Sequence, residues 1–256
     1  MDIRPAILAL VETLSRDREA LTRHIPGTVD ILDGAFHYVD QHSLFYQLLQ
    51  IFRARIYAFR GAGPMRVIID AGANVGSASL FFASNYPEAS IKAFEADPTI
   101  AAVLARNMAT FAPSVQVHNQ ALWIHDQGIH FKTSGDDSGC ADEGGNGPLM
   151  PSRRLRDVIA AVDGPVDLLK LDVEGAEFAL IEDCRPVLAK VSRLIVEVHQ
   201  LHANAPGIGR LLTTLEEVGF RYVLNRAEPA PWMGGAGTPF PAVSSDRYLF
   251  MLHAWR

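Results

Sequence analysis

Val67-Ile68-Ile69-Asp70-Ala71-Gly72-Ala73-Asn74-Val75-Gly76 joins an apolar run, an acid and a glycine-rich turn, and a helical segment follows from Ser77. Gly72 and Gly76 permit a tight bend and close approach to a ligand, and Asn74 tolerates left-handed dihedrals. A helix starting at Ser77 presents unpaired N–H groups. Asp70, Gly72, Ala73, Asn74, Gly76 and Ser77 are therefore candidate cofactor-binding residues. The dinucleotide fingerprint G-x-G-x-x-G would require glycines at 72, 74 and 77, but Asn74 and Ser77 occupy two of these positions. No Lys or Arg lies between Asp70 and Phe82, so a pyrophosphate would find no positive partner there.

S-adenosylmethionine fits that turn better. Its sulfonium and amino group are cationic, and its one carboxylate can sit on the helix N-terminus. A second strand, Ser90-Ile91-Lys92-Ala93-Phe94-Glu95, ends in an acid 25 positions after Asp70. Adenosine-binding sheets place a ribose-binding acid at about that distance. Glu95 takes that role, with Ala96 beside it. Asp97-Pro98 supplies an N-cap and a proline at the first helical position, so a helix is expected over Pro98 to Thr110.

The chain has 256 residues, 48% hydrophobic and 20% charged, enough for one large domain with an N-terminal addition. Its net charge of −6 and the lack of a long basic run argue against a nucleic-acid partner. The densest basic group, Arg153, Arg154 and Arg156, reads as a solvated face. Cys140 and Cys184 form no disulfide framework, and the N-terminus lacks a signal-peptide pattern, so a cytoplasmic location is expected. No apolar stretch approaches a membrane span.

Ile7, Val11, Leu14 and Leu21 recur at helical spacing between Pro5 and Leu21. Thr28 to Leu32 and Ala35 to Val39 flank Asp33-Gly34, a hairpin signal. A second helix, Ser43 to Phe59, stacks Phe45, Leu48, Leu49, Phe52, Ile56 and Phe59 on one face. Residues 1–62 thus read as an N-terminal cap of helices and a β-hairpin, and a homo-oligomer could form through it. From residue 63 to 256, apolar runs alternate with helical ones, as in a doubly wound α/β sheet with helices on both faces. Seven strands are expected: Val67–Asp70, Ile91–Glu95, Val115–His118, Val166–Asp172, Leu194–His199, Phe220–Leu224 and Arg247–His253, with Ile129–Thr133 an extra one. The Pro- and Gly-rich segment before the last strand excludes a helix, so that strand runs antiparallel in a mostly parallel, Rossmann-like sheet of the class I methyltransferase plan. The Gly- and acid-rich stretch Ser134 to Pro151 is expected to be a lid.

Ligands bind such sheets beyond the carboxyl ends of the strands. Lys170 and Asp172 share one face at the end of the fourth strand, and Glu197 and His199 share one at the end of the fifth. Polar residues at the ends of apolar parallel strands depart from the usual composition. His199, Asp172, Glu197 and Lys170 are the candidate catalytic residues: His199 and Asp172 as the base candidates, Glu197 to orient the imidazole or compete for it, and Lys170 as a catalytic group or a structural partner of Asp172, with Asp172 also touching the cofactor. Glu174 and Glu177 surround the tight turn at Gly175. Mg²⁺ or Mn²⁺ between Asp172 and Glu197 is an alternative arrangement, since hard oxygen ligands suit those ions.

Asp70 to Gly76, Phe94 to Pro98, Ala121-Leu122, Lys170-Leu171-Asp172-Val173-Glu174-Gly175-Ala176-Glu177 and Glu197-Val198-His199 together resemble the FkbM family of S-adenosylmethionine-dependent methyltransferases. The resemblance spans about Val67 to His199. The chain departs from it at Ala96-Asp97-Pro98, where the family commonly has a Pro-x-Pro-like step. The family implies O-methylation, often of a sugar hydroxyl in glycolipid, polysaccharide or natural-product pathways, with a small-molecule or glycan acceptor as partner. An NAD(P)-dependent sugar oxidoreductase or epimerase would share the sheet but needs the missing glycine spacing. A non-catalytic adenosine-binding scaffold gives no reason for polar strand ends.

Overall fold

A computed structural model of the chain describes residues 2–59, 64–132, 139–141, 145–200, 207–226 and 248–256. The chain opens with helix α1 (Arg4–Arg16), the hairpin β1 (Gly27–Ile31) and β2 (Gly34–Tyr38), and helix α2 (Gln41–Leu48), which runs into a π turn over Leu49–Arg53. The alternating part follows: β3 (Val67–Ala71), α3 (Ser77–Asn85), β4 (Ser90–Glu95), α4 (Pro98–Phe111) and β5 (Gln116–Asn119). Five short strands come next: β6 (Ala121–Trp123), β7 (Ile129–Lys132), β8 (Cys140–Ala141), β9 (Leu149–Met150) and β10 (Ser152–Arg154). The rest is α5 (Leu155–Ala160), β11 (Leu168–Leu171), α6 (Glu177–Cys184), β12 (Arg193–Gln200), α7 (Ile208–Val218), β13 (Arg221–Arg226) and β14 (Tyr248–Trp255).

The main sheet is mixed, in the order β13-β14-β12-β11-β3-β4-β5. β5, β4, β3, β11 and β12 pair in parallel. β14 runs antiparallel to both β12 and β13, which places the last strand between its neighbours as a reversed insert. The parallel strands carry apolar side chains toward both faces, and adjacent residues divide between two cores. Ile68, Leu168 and Ile195 enter one cluster with α3, α4 and the N-terminal elements. Ile69, Leu169, Leu194 and Val196 enter the other with α5, α6 and α7. This is the two-sided burial that parallel sheets require.

The N-terminal elements pack onto the helices of one sheet face. Ile7, Val11, Phe36, Leu44, Leu48 and Phe52 lie in the same apolar cluster as Phe81, Phe82 and Leu104 of α3 and α4. One polar tie crosses this seam, and another holds the N-terminal elements together. Asn107, fully buried on α4, donates to the carbonyls of His37 (2.9 Å) and Val75 (2.8 Å) and accepts from the His37 N–H (2.8 Å). Asp40 caps α2 by accepting from Ser43 N–H at 2.7 Å, and it also binds His24 N–H at 2.6 Å and Arg23 Nε at 2.9 Å.

Several details differ from the sequence reading. The hairpin pairs Ile31 with Gly34, so its turn is Leu32-Asp33 rather than Asp33-Gly34, with Leu32 at φ 53°. Gly34 is small for another reason: an added Cβ would lie 2.8 Å from Phe111 Cζ at the end of α4. The second helix ends as a π turn at Arg53 and does not continue to Phe59. The expected Ile129–Thr133 strand is the centre of a small sheet, β8-β7-β9, and β6 pairs with β10, an arrangement that periodicity does not reveal. Within the expected lid, Cys140–Ala141 and Leu149–Met150 are these strands, while 133–138 and 142–144 lie outside the described residues, as does Arg247 of the expected last strand. Among the described residues no helix is long and apolar enough to cross a membrane.

Candidate active site

A cavity, part of it open to solvent, lies at the carboxyl ends of β3, β4, β11 and β12. Gly72, Ala73, Asn74 and Ser77 form one wall, with Glu95 and Ala96 next to them. Trp123, Ile129 and Phe131 close an apolar end under the small sheet. Lys170, Asp172, Glu174 and Glu197 form the opposite polar end.

The turn takes its shape from the residues expected to shape it. Gly72, Asn74 and Gly76 adopt φ of 74°, 48° and 101°. The two glycines serve packing more than ligand approach. A Cβ on Gly72 would lie 1.7 Å from the Asp172 carbonyl oxygen, and one on Gly76 would lie 2.6 Å from Met108 Cε. Gly72 thus lets the ends of β3 and β11 touch, which brings Asp172 to the cofactor turn. Asn74 Oδ1 accepts from Val75 N–H (2.7 Å) and Gln47 Nε2 (3.2 Å), while Ser77 Oγ donates to Gln47 Oε1 (2.8 Å). Gln47 of α2 clamps the turn from the N-terminal side.

Glu95 is buried at 8% exposure and holds two backbone donors, Asn74 N–H and Asp97 N–H, each at 2.9 Å. Burial pushes its carboxyl up to about 7, against the pull of those two hydrogen bonds. Both oxygens keep a lone pair, so a carboxylate is preorganised on the cavity wall. Asp97 caps α4 through Thr99 N–H (2.8 Å) and Ile100 N–H (3.3 Å). The Glu95 carboxylate beside a base-free turn, with an apolar end under the small sheet, fits the ribose and base of S-adenosylmethionine.

Asp70 and Gly76 do not line the cavity. Asp70 is fully buried, accepts from Ser79 Oγ at 2.6 Å and pairs with Lys170 Nζ at 3.2 Å. Lys170 also donates to the Gly72 carbonyl at 2.6 Å and lies 3.3 Å from Asp172 Oδ2. Burial works against its charge, but Asp70 and Asp172 outweigh it and hold the ammonium above its ordinary range. Lys170 is therefore a buried tie that joins the turn to Asp172.

His199 is buried behind the cavity rather than in its lining. Its Nδ1 lies 3.0 Å from Glu177 Oε1 and its Nε2 3.5 Å from Glu174 Oε2. Glu177, fully buried, in turn accepts from Val173 N–H (3.1 Å) and Gly175 N–H (3.1 Å). Burial lowers the affinity of the ring for a proton, but Glu177, Glu174 and Asp172 outweigh it, so the ring is held as a cation. A charged imidazole with both nitrogens engaged is a poor base, unlike the role expected for it. Asp172, Glu174 and His199 do bring one ligand-type atom each within 4.8 Å of one another.

Glu197 makes no hydrogen bond or ion pair among the described residues and faces the cavity. Burial first, and the nearby Asp172 next, push its carboxyl up to about 8. Glu174, at φ 53°, is likewise pushed up to about 8 by burial. Tyr57 was not a candidate from sequence. It is 3% exposed, lines the cavity, and its phenol has no hydrogen-bond partner among the described residues. Burial and then the charges of Asp172, Glu197 and Asp70 hold it protonated. No local pattern marks Tyr57, because it follows an interrupted helix and enters the site only through tertiary packing. Of the basic cluster, Arg154 ties β10 to α6 by pairing with Asp183 through Nε at 3.0 Å.

Methyltransferase sdnD of Sordaria araneosa is 29% identical over 221 residues, which span 71% of this chain and 84% of that protein. AMB antimetabolite synthetase AmbE of Pseudomonas aeruginosa is 29% identical over 207 residues, 62% of this chain but 10% of that much longer one. Among solved structures, precorrin-6y C5,15-methyltransferase from Geobacter metallireducens superposes with a TM-score of 0.48 at 14% identity, covering 81% of this chain and 89% of that one. The methyltransferase FkbM domain model matches residues 70–222, more than half of the chain and all of the strand ends that build the cavity. By that match the chain belongs to the FkbM methyltransferase family, and it is an S-adenosylmethionine-dependent methyltransferase.

Proposed function

We propose that the chain methylates oxygen: the acceptor is a hydroxyl on a sugar or on a glycan or natural-product intermediate, Glu197 takes its proton, and Asp172 aligns it. The Glu197 carboxylate carries this reading, since it faces the cavity unpaired beside Asp172 and is tuned to about 8. A base works best when its pKa lies near the operating pH. Bound S-adenosylmethionine supplies a methyl carbon on positively charged sulfur, which keeps the electron pair of the bond that breaks. Glu95 would hold the ribose and the turn from Gly72 to Ser77 the rest of the cofactor. Lys170 holds Asp172 in place through its 3.3 Å contact. Residues 1–62 act as a cap on the 63–256 cofactor-binding part.

Methyl transfer from labelled cofactor to a panel of hydroxyl acceptors, with the methylated atom identified by NMR, tests the reading. Glu197→Gln should lower kcat by roughly 100-fold to 10,000-fold with little change in cofactor affinity. The wild-type rate should rise as pH rises through about 8, because the carboxylate accepts a proton only when ionised. Near-normal turnover in Glu197→Gln would remove it as the base. A metal-assisted variant is favoured by the Asp172, Glu174 and His199 cluster. A cation there would have to displace a proton from a ring already held by Glu177 and Glu174, so chelation should leave the rate unchanged. Loss with chelator and recovery with Mg²⁺ or Mn²⁺ would replace the metal-free reading.

A further inference from the structure

We infer that Tyr57 and Gln50, both in the N-terminal cap, hold the methyl acceptor, and that the face of the acceptor they receive is uncharged or cationic. This rests on the methyl-transfer reading above and adds the acceptor half of the same cavity. Tyr57 is the most deeply buried polar side chain in the cavity wall that lacks a partner among the described residues. Its ring is fixed by Phe82, with centroids 5.9 Å apart, and by Lys170 Nζ at 5.9 Å from its centroid. A fixed, protonated phenol in the cavity wall that has no protein partner among the described residues and is not sealed from the cavity is a donor open to a ligand.

Gln50 also lines the cavity, and its amide has no partner among the described residues. It sits in the π turn Leu49–Arg53, a rare local geometry that is often found at functional sites. Gln47, one turn earlier, is spent on Asn74 and Ser77, so Gln50 and Tyr57 are the amide and phenol left to a ligand on this side. Both precede the family-matched segment 70–222. The shared fold therefore carries the cofactor side, and a segment outside it carries the acceptor side.

Charge narrows the class. Asp172, Glu174 and Glu197 line the polar end, and the cationic lining residue Lys170 is committed to Asp70 and Asp172. At the pH where Glu197 is ionised and can act as the base, a phosphate or carboxylate close to the reacting hydroxyl would meet carboxylates, and the lining offers no free cation among the described residues. Hydroxyl-rich neutral compounds, or those bearing an amine, meet donors and acceptors suited to them.

The probe is a panel of methyl glycosides, methyl aminoglycosides and their phosphate esters, assayed with the full chain and labelled cofactor. Turnover on neutral or amino glycosides in preference to their phosphate esters is expected. Turnover confined to the esters, or on no member of the panel, overturns the acceptor class. On the best substrate, Tyr57→Phe should lower kcat/KM for the acceptor about 10-fold to 100-fold. Gln50→Leu should raise the acceptor KM several-fold. Calorimetric affinity for S-adenosylmethionine and the melting temperature should match wild type for both, which a merely structural role would not allow. Unchanged kcat/KM in Tyr57→Phe overturns its role. Methylation at an amine instead of a hydroxyl would overturn the oxygen reading while leaving the Tyr57 comparison measurable.

Discussion

Glu95 shows how one side chain can set the pH behaviour of the whole site. It accepts two backbone hydrogen bonds that favour its ionised form, yet burial dominates and pushes it to about 7. Ribose hydroxyls donate best to an ionised carboxylate. Cofactor affinity should therefore rise as pH rises from 6 to 8, and calorimetry across that range should lose its slope in Glu95→Gln. At pH 8, Glu95→Ala should weaken binding by about 1–3 kcal/mol, the cost of leaving buried groups unpaired. A pH-independent affinity in wild type would remove Glu95 from the ribose. At the same scale, the nitrogen of Lys170 is surrounded by Asp70, Asp172 and the Gly72 carbonyl and the residue is 2% exposed, a geometry that suits a tie between the turn and Asp172.

Among the elements, helix α2 carries the most consequence for its length. Its start depends on Asp40, whose burial works to raise its pKa but is outweighed by Ser43, His24 and Arg23, so the carboxyl lies below its ordinary range. Such a group stabilises the fold above the unfolded-state pKa, and that contribution is lost as pH falls through the folded-state value. Asp40→Ala should cost about 1–2 kcal/mol at pH 7 by urea denaturation. The gap to wild type should narrow below about pH 4, as the wild-type carboxyl takes up protons. A gap that stays constant with pH would mean that the cap is worth little. Because α2 also carries Gln47, whose amide clamps Asn74 and Ser77, loosening its start should weaken cofactor binding as well.

For the whole molecule, the shared core between the cap and the sheet decides what can be cut away. Removing residues 1–63 would strip Phe81 and Phe82 of their ring contacts with Phe52 and Tyr57 and open the apolar cluster the cap shares with them. A chain starting at Pro64 should aggregate or melt without cooperativity in calorimetry, while the full chain melts in a single transition. A soluble, cooperatively melting truncation would instead make the cap a separable domain.

Much of this architecture is legible in local chemistry. Strand and helix alternation, the left-handed Asn74, the Asp97 cap and the acids closing β4, β11 and β12 follow from periodicity and from backbone preferences acting over a few residues. The roles inside the site depended on contacts that local pattern does not encode. Lys170 reaches the Gly72 carbonyl across 98 positions and pairs with Asp70, which lies outside the cavity lining. His199 was legible as a strand-end histidine, but only the fold brings Glu174 and Glu177 to its two nitrogens and turns a candidate base into a held cation. Tyr57 and Gln50 arrive from an interrupted helix whose apolar stripe gave no hint of a ligand. The sequence by itself determined which elements form and where the polar strand ends lie, because those depend on neighbours along the chain. Tertiary structure alone decided which polar groups satisfy one another and which stay free for a ligand, because burial and pairing depend on neighbours in space.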